Sequence, residues 1–487
     1  MALKTADLTG FENDVLPPLA QIVDLSLDRL GLASAKFVMG TYAATASRSG
    51  ARPDANSSVA MHADIARQQS GMTGAGVKIG ILSDSFDLKD GAASDVTAGD
   101  LPPGIVVQEE GGSGSDEGRA MAELIHQVAP GAQLYFHTAT NGEADFAAGI
   151  ASLQAAGCTV IVDDVAYLDE PFFQTGAAVQ SAVGRAVGHG TSYFTAASNE
   201  GSNFIQEGFS GHAAALPGLI GRWQTAQFGG LSFTTLTIPQ HGVAYLDLQW
   251  DQPYASIGGG QGSSDSVGLA LYTDAGELVG VAAHYDVGQD PRQVMNFTNT
   301  LNTTSFRLVV FANGTAPPPE MFKLIVYGNA TLTDPAAGTG SGSVIGHELS
   351  PDANTIGAVN YASTPAFGGA GTPERFSSVG TGQILFDAEG HRLATPISAD
   401  KVSFLAPDGD LTSVLAPFFG TSAAAPNAAA VAALVMQADP YLTPTQVSGI
   451  LAQTCAPVSG GMGAVGSGLI QADAAVALAQ SMVGHGL

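Results

Sequence analysis

The chain has 487 residues, 45% hydrophobic but only 7% aromatic, and a formal net charge of −27 from 44 acidic against 17 basic side chains. That length exceeds one ordinary compact core and favours two or three domains with Ala-, Val- and Leu-rich interiors. The acidity argues against nucleic acid or an anionic membrane as a partner, and the composition argues against wholesale disorder.

Residues 1–60 open with an amphipathic pattern (Leu16, Leu19, Ile22, Val23, Leu25, Leu27, Leu30) that predicts a helical arm, and the polar stretch Ser47–Ser58 reads as a linker. No basic stretch followed by an apolar run begins the sequence, and no run of about 18 apolar residues occurs, so neither a standard signal peptide nor a membrane span is expected.

Residues 61–215 alternate apolar strands with helices. Val77–Leu82, Leu134–His137, Val160–Val162 and Ser192–Ala196 read as strands. Glu117–Val128, Ala144–Ala156 and Gly176–Val187 read as helices. Buried strands separated by helices of ten or so residues predict an α/β fold, a doubly wound and mostly parallel sheet with helices on both faces. Residues 216–335 change to short alternating runs punctuated by Gly, Asn, Asp and Pro, the pattern of an inserted β-sandwich. The α/β texture resumes over 336–487, with a strand at Thr355–Val359 and a final helix after Asp473. Cys158 precedes an apolar run and reads as a small buried hydrophobe. A disulfide to the distant Cys455 is unsupported, and neither cysteine has metal-ligand spacing.

The most informative segment is Gly420-Thr421-Ser422-Ala423-Ala424-Ala425-Pro426, ahead of an Ala/Val-rich helical pattern. Small residues around a serine at a helix start let a substrate backbone approach, and the unpaired N–H groups there suit a developing oxyanion. The segment closely resembles the nucleophile motif of subtilisin-like serine peptidases and their sedolisin relatives. Ala197-Ser198-Asn199-Glu200-Gly201, after a predicted strand, resembles the subtilisin oxyanion segment, which implies Asn199 as the side-chain donor. Thr355–Tyr361, Arg375–Gly380 and Ser403–Gly409 extend the resemblance, which covers most of 73–211 and 345–480.

No subtilisin-type His-Gly-Thr-His is present. The helix where it should fall begins at Glu117 and runs into Ala129-Pro130-Gly131-Ala132, as in both related families, so the resemblance implies that Glu117, like the sedolisin glutamate, is the base. The sedolisin Asp one turn later is Met121 here. Candidates for the acid that completes the site come from two strand ends. One offers Asp84 as first choice, with Asp87 in reserve. The other is Asp163-Asp164, where Asp164 falls at a small polar position of the relatives and is placed to pair with Glu117 directly. The resemblance also implies that Val165, Ala166 and Tyr167 form part of a substrate-binding wall.

The resemblance implies a subtilisin-like fold and a serine endopeptidase acting on peptides or proteins through an acyl-enzyme with a Ser–Glu–Asp site. It also favours a secreted or extracellular location. No metal or cofactor is assigned: calcium is compatible with the acidity, but the sedolisin calcium motif is not recognisable. The rival readings are an inactive subtilase-fold scaffold, suggested by the missing histidine, and a binding module centred on the sandwich.

Overall fold

The computed structural model describes residues 36–38, 53–314, 317–333, 341–399 and 401–483. The amphipathic arm expected over Leu16–Leu30 lies outside these residues, as does most of the linker expected after it. Strand β1 (Lys36–Val38) precedes helices α1 (Asn56–Ala60) and α2 (Ala63–Ser70). The expected linker therefore turns helical before Ser58. Ser57 N–H donates to both carboxylate oxygens of Asp410, at 3.1 and 3.0 Å, a tertiary contact that polarity alone did not reveal.

The next elements are β2 (Lys78–Ser83), α3 (Ala92–Ala98), β3 (Val106–Glu109), α4 (Glu117–Val128), β4 (Gln133–Thr138), α5 (Glu143–Ala155), β5 (Val160–Asp163), β6 (Val165–Tyr167), α6 (Ala178–Gly188) and β7 (Ser192–Ala196). An antiparallel region follows: β8 (Phe204–Gly208), β9 (His212–Ala214), β10 (Trp223–Thr225), β11 (Thr234–Thr237), β12 (Val243–Trp250), β13 (Val267–Thr273), β14 (Leu278–Ala282), β15 (Arg292–Thr298), β16 (Ser305–Asn313), β17 (Met321–Gly328) and β18 (Thr331–Leu332). The chain ends with β19 (Ala353–Asn360), β20 (Gly382–Phe386), β21 (Arg392–Ala399), β22 (Phe404–Asp408), α7 (Thr421–Ala438), α8 (Pro444–Thr454), α9 (Met462–Val465) and α10 (Ala472–Val483).

Seven parallel strands form the main sheet in the order β22-β19-β7-β5-β2-β4-β3. Side chains alternate across it. Val160 and Val162 join the core under α4 and α7, whereas Ile161 packs with α5 and α6 on the other face. The chain passes from β4 to β5 across β2, so strand order reverses there. The C-terminal ends of β2 and β5 consequently face a crevice of the kind that binds ligands in open α/β sheets.

Residues 204–332 form two antiparallel sheets, one built on β14-β13-β16-β10-β9 with β11 and β18, the other β15-β12-β17-β8. Their inner faces share one core that includes Leu246, Leu248, Trp250, Leu269, Phe306, Leu308, Phe322 and Leu324. Antiparallel pairing begins upstream of Leu216, because β8 pairs with β17. Strand β15 gave no sequence signal. Its buried Gln293 breaks the apolar alternation, and its amide donates to Asp286 Oδ2 at 2.6 Å and the His284 carbonyl at 3.1 Å. Both cysteines are free, and among the described residues no helix is long and apolar enough to cross a membrane.

Candidate active site

Helix α7 runs through the middle of the molecule, and every residue from Thr421 to Met436 is buried. Alanine at most of these positions lets the helix lie close against the sheet. Gly420 introduces it at φ +121°, a conformation that favours glycine, and donates its N–H to Asp408 Oδ2 at 2.9 Å. Ser422 is the second helical residue, in the first turn of α7.

Asn199 follows β7 and Ser198, which sits at φ +75°. The Asn199 amide oxygen accepts from Thr421 N–H at 3.0 Å and from Thr421 Oγ1 at 3.1 Å. This fixes the amide orientation and turns Nδ2 toward the start of α7: a Cβ built on Gly420 would meet Asn199 Nδ2 at 3.5 Å and Ser422 N at 3.7 Å. Asn199 Nδ2 is buried and has no acceptor. An orphan donor costs about 1–3 kcal/mol, and an oxyanion beside Ser422 would satisfy it. Replacing Asn199 by Ala is expected to lower kcat by roughly 10²–10³ with a smaller change in KM. Steady-state kinetics with equal kcat for both proteins would place the donor elsewhere.

Glu117 opens α4 and is 1% exposed. Its carboxyl lies within hydrogen-bonding reach of the Ser422 side chain and of the Asp164 carboxyl. Burial, then the charges of Asp164 and Asp84, hold Glu117 well above the usual carboxylate range, opposed by the Ser422 hydrogen bond. Asp164, between β5 and β6, accepts from Ser83 Oγ at 3.2 Å. Burial and the Asp84 charge push it well up, against the pull of that hydrogen bond. Met121 is fully buried in the apolar core. The second carboxyl beside Glu117 thus arrives from a strand end rather than from the next turn of α4.

Asp84 has a different set of contacts. Its Oδ1 accepts the N–H groups of Ser85 at 2.5 Å and Glu117 at 2.9 Å, and its Oδ2 accepts the N–H and hydroxyl of Ser115 at 2.5 and 2.8 Å. This carboxylate ties the end of β2 to the start of α4 and fixes where Glu117 begins. Asp87 lies near α3 instead, its Oδ1 accepting the N–H of Ala92, the first residue of that helix, at 2.9 Å. Asp84→Asn can accept through only one oxygen, so stability is expected to fall by about 1.5–3 kcal/mol in chemical denaturation. An unchanged midpoint would deny Asp84 that tethering role.

Asp163 points to the opposite face of the sheet. It accepts from Thr195 Oγ1 at 2.8 Å and lies 3.3 Å from His347 Nε2, while His347 Nδ1 lies 2.7 Å from Glu170 Oε2. Burial alone would lower the His347 pKa, but the Glu170 and Asp163 carboxylates outweigh it and hold the ring well above the ordinary histidine value. A buried imidazolium therefore braces the back of the strand that delivers Asp164. No local pattern marks His347, whose partner Glu170 lies 177 residues earlier in the chain.

The wall residues Val165, Ala166 and Tyr167 form β6, and β1 pairs with it antiparallel, Lys36 opposite Tyr167, Phe37 opposite Ala166 and Val38 opposite Val165. This edge accepts an extended chain running toward Asp164.

The sheet order, the two flanking helix layers and the strand-end position of these groups define a subtilisin-like α/β fold. The solved structure of the Clostridium perfringens CspB protease shares it, with a TM-score of 0.53 at 12% identity over 88% of this chain and 98% of that one. A lanthipeptide protease gives a TM-score of 0.43 at 12% identity, covering 87% of this chain and 93% of that chain. MycP1 from Mycobacterium smegmatis gives 0.39 at 15% identity, covering 90% and 87%. The subtilase (peptidase S8) family model matches residues 263–486, under half of the chain; the match takes in Ser422 but not Glu117, Asp164 or Asn199. A search among curated proteins returned no match.

Proposed function

We propose that this chain is a serine endopeptidase that cleaves peptide bonds through an acyl-enzyme, with Ser422, Glu117 and Asp164 as its catalytic residues. The observation that carries this reading is the contact of the Glu117 carboxyl with both the Ser422 hydroxyl and the Asp164 carboxyl. Two buried carboxyls in contact share a proton, since two adjacent negative charges are costly there. Asp164 holds that proton and donates to Glu117, leaving Glu117 ionised.

Glu117 takes the proton from Ser422 Oγ as Oγ bonds to the scissile carbonyl carbon. The carbonyl oxygen becomes an oxyanion between Asn199 Nδ2 and Ser422 N–H. Glu117 then gives its proton to the leaving nitrogen as the C–N bond breaks. Water repeats the sequence on the acyl-enzyme, releasing the acid and restoring Ser422. The peptide lies along β6, so it competes with β1 for that edge. Residues 204–332 are proposed as a separately folding insert.

Labelling by a fluorophosphonate probe tests the nucleophile, using the full chain and the chain lacking residues 1–50. Covalent modification mapping to Ser422, and absent from Ser422→Ala, is expected. No label in either wild-type form would support the inactive scaffold instead.

A further inference from the structure

A second group of chemically able side chains lies outside the Ser422–Glu117–Asp164 site. Glu109 on β3 and His137 on β4 are register partners, and Asp145 lies in the first turn of α5. One ligand atom from each lies within 4.8 Å of the others.

The histidine carries the argument. His137 is 6% exposed, and its Nδ1 lies 2.8 Å from the Thr138 carbonyl oxygen. A carbonyl only accepts, so Nδ1 bears the hydrogen and, in the neutral ring, Nε2 presents a bare lone pair. That lone pair faces Glu109 Oε2 at 3.5 Å, which is another acceptor. Asp145 Oδ2 is a buried oxygen with no donor. Three electron-rich groups converge, and among the described residues no Lys or Arg is ion-paired with them.

The surroundings hold this arrangement in place. Asn141 Nδ2 donates to Glu109 Oε1 at 2.6 Å, which orients the carboxylate. Gly149, one turn after Asp145, makes room for the ring: a Cβ there would come within 2.7 Å of His137 Nδ1. An imidazole fixed through its other nitrogen, and a carboxylate fixed by an amide, are the outer supports that metal ligands require.

We propose that Glu109, His137 and Asp145 bind a zinc-type divalent cation that clips β3 to β4 and α5. An imidazole with two carboxylates suits zinc better than calcium, which prefers an all-oxygen shell. The clip has a mechanical purpose. Strand β3 is the sheet edge, with Val106 and Val107 38% and 39% exposed, so apolar burial holds it weakly. The loop that follows Glu109 leads directly to Asp116 and Glu117. Chelation is therefore expected to loosen the approach to the base without touching it.

The test is metal binding by the full chain after chelator treatment and desalting. One zinc per chain is expected, with a higher melting temperature and weaker binding of calcium. Glu109→Gln should lower zinc affinity at least tenfold. Its side chain is 45% exposed, so folding is not at risk. Asn141→Ala should lower it roughly tenfold through lost orientation. His391→Ala is the control, because Asp387, Glu389 and His391 form another cluster on an exposed turn. No zinc uptake, calcium bound as tightly as zinc, undiminished affinity in Glu109→Gln, or loss confined to His391→Ala would each overturn the assignment.

Discussion

Glu117→Gln is expected to reduce peptide hydrolysis by roughly 10²–10⁴ or more, whereas Asp164→Asn should turn a bell-shaped pH profile into a single acid limb. The amide of Gln cannot accept the Ser422 proton, so no pH rescues it. In the proposed mechanism the Glu117–Asp164 pair passes through states with two, one and no protons, and only the middle state would have an ionised base held by a protonated partner. Burial and like charge push both carboxyls up. The alkaline limb should therefore lie well above the ordinary carboxylate range of about 4. In Asp164→Asn the second titration disappears and only protonation of Glu117 remains.

Stability has a defined sign as well. For carboxyls whose folded pKa lies above the unfolded value, the favourable contribution is full at low pH and is lost as pH rises through the folded value. Asp164→Asn should thus gain stability relative to wild type on the alkaline side. A bell that survives in Asp164→Asn would separate Asp164 from the base. An acid limb near the histidine pKa that vanishes on mutating one histidine would remove Glu117 as well.

Replacing His347 by Leu is expected to cost about 3–5 kcal/mol of folding stability, because it leaves Asp163 and Glu170 buried without their shared cation. His347, Asp163 and Glu170 are all essentially unexposed, so solvent screens little of this. Since the folded-state pKa of His347 is raised, its contribution is complete below the unfolded value of about 6.5 and is lost as pH climbs through the raised value. Urea denaturation of both proteins across pH checks this. The gap between them should be widest in acid and narrow in base, and a gap independent of pH would mean that His347 acts through packing alone.

Much of the architecture was legible in the chain. Val77–Leu82, Leu134–His137 and Val160–Val162 are predominantly apolar segments, as strands buried on both faces require. The helical pattern over Glu117–Val128 coincides with α4. Gly420 followed by small residues marks a helix start because few other sequences tolerate that backbone and that packing. Strand β3 and helix α3 escaped notice, since an exposed edge strand and a short surface helix carry little hydrophobic period.

The sequence by itself determined the alternation of strands and helices, the serine at a buried helix start and the carboxylate heading α4. Local periodicity and backbone preference act over a few residues, and these features need nothing more. Only the tertiary structure decided which acid meets Glu117. Asp84 and Asp164 both end apolar strands and look alike in one dimension. In three, Asp84 accepts backbone N–H groups from Ser85 beside its own strand end and from Ser115 and Glu117 at the α4 start, while Asp164 reaches the Glu117 carboxyl from the neighbouring strand. The same holds for Asp163 and His347, and for Glu109, His137 and Asp145. Contacts between residues distant in sequence depend on strand order and on side-chain alternation across the sheet, which no local pattern encodes.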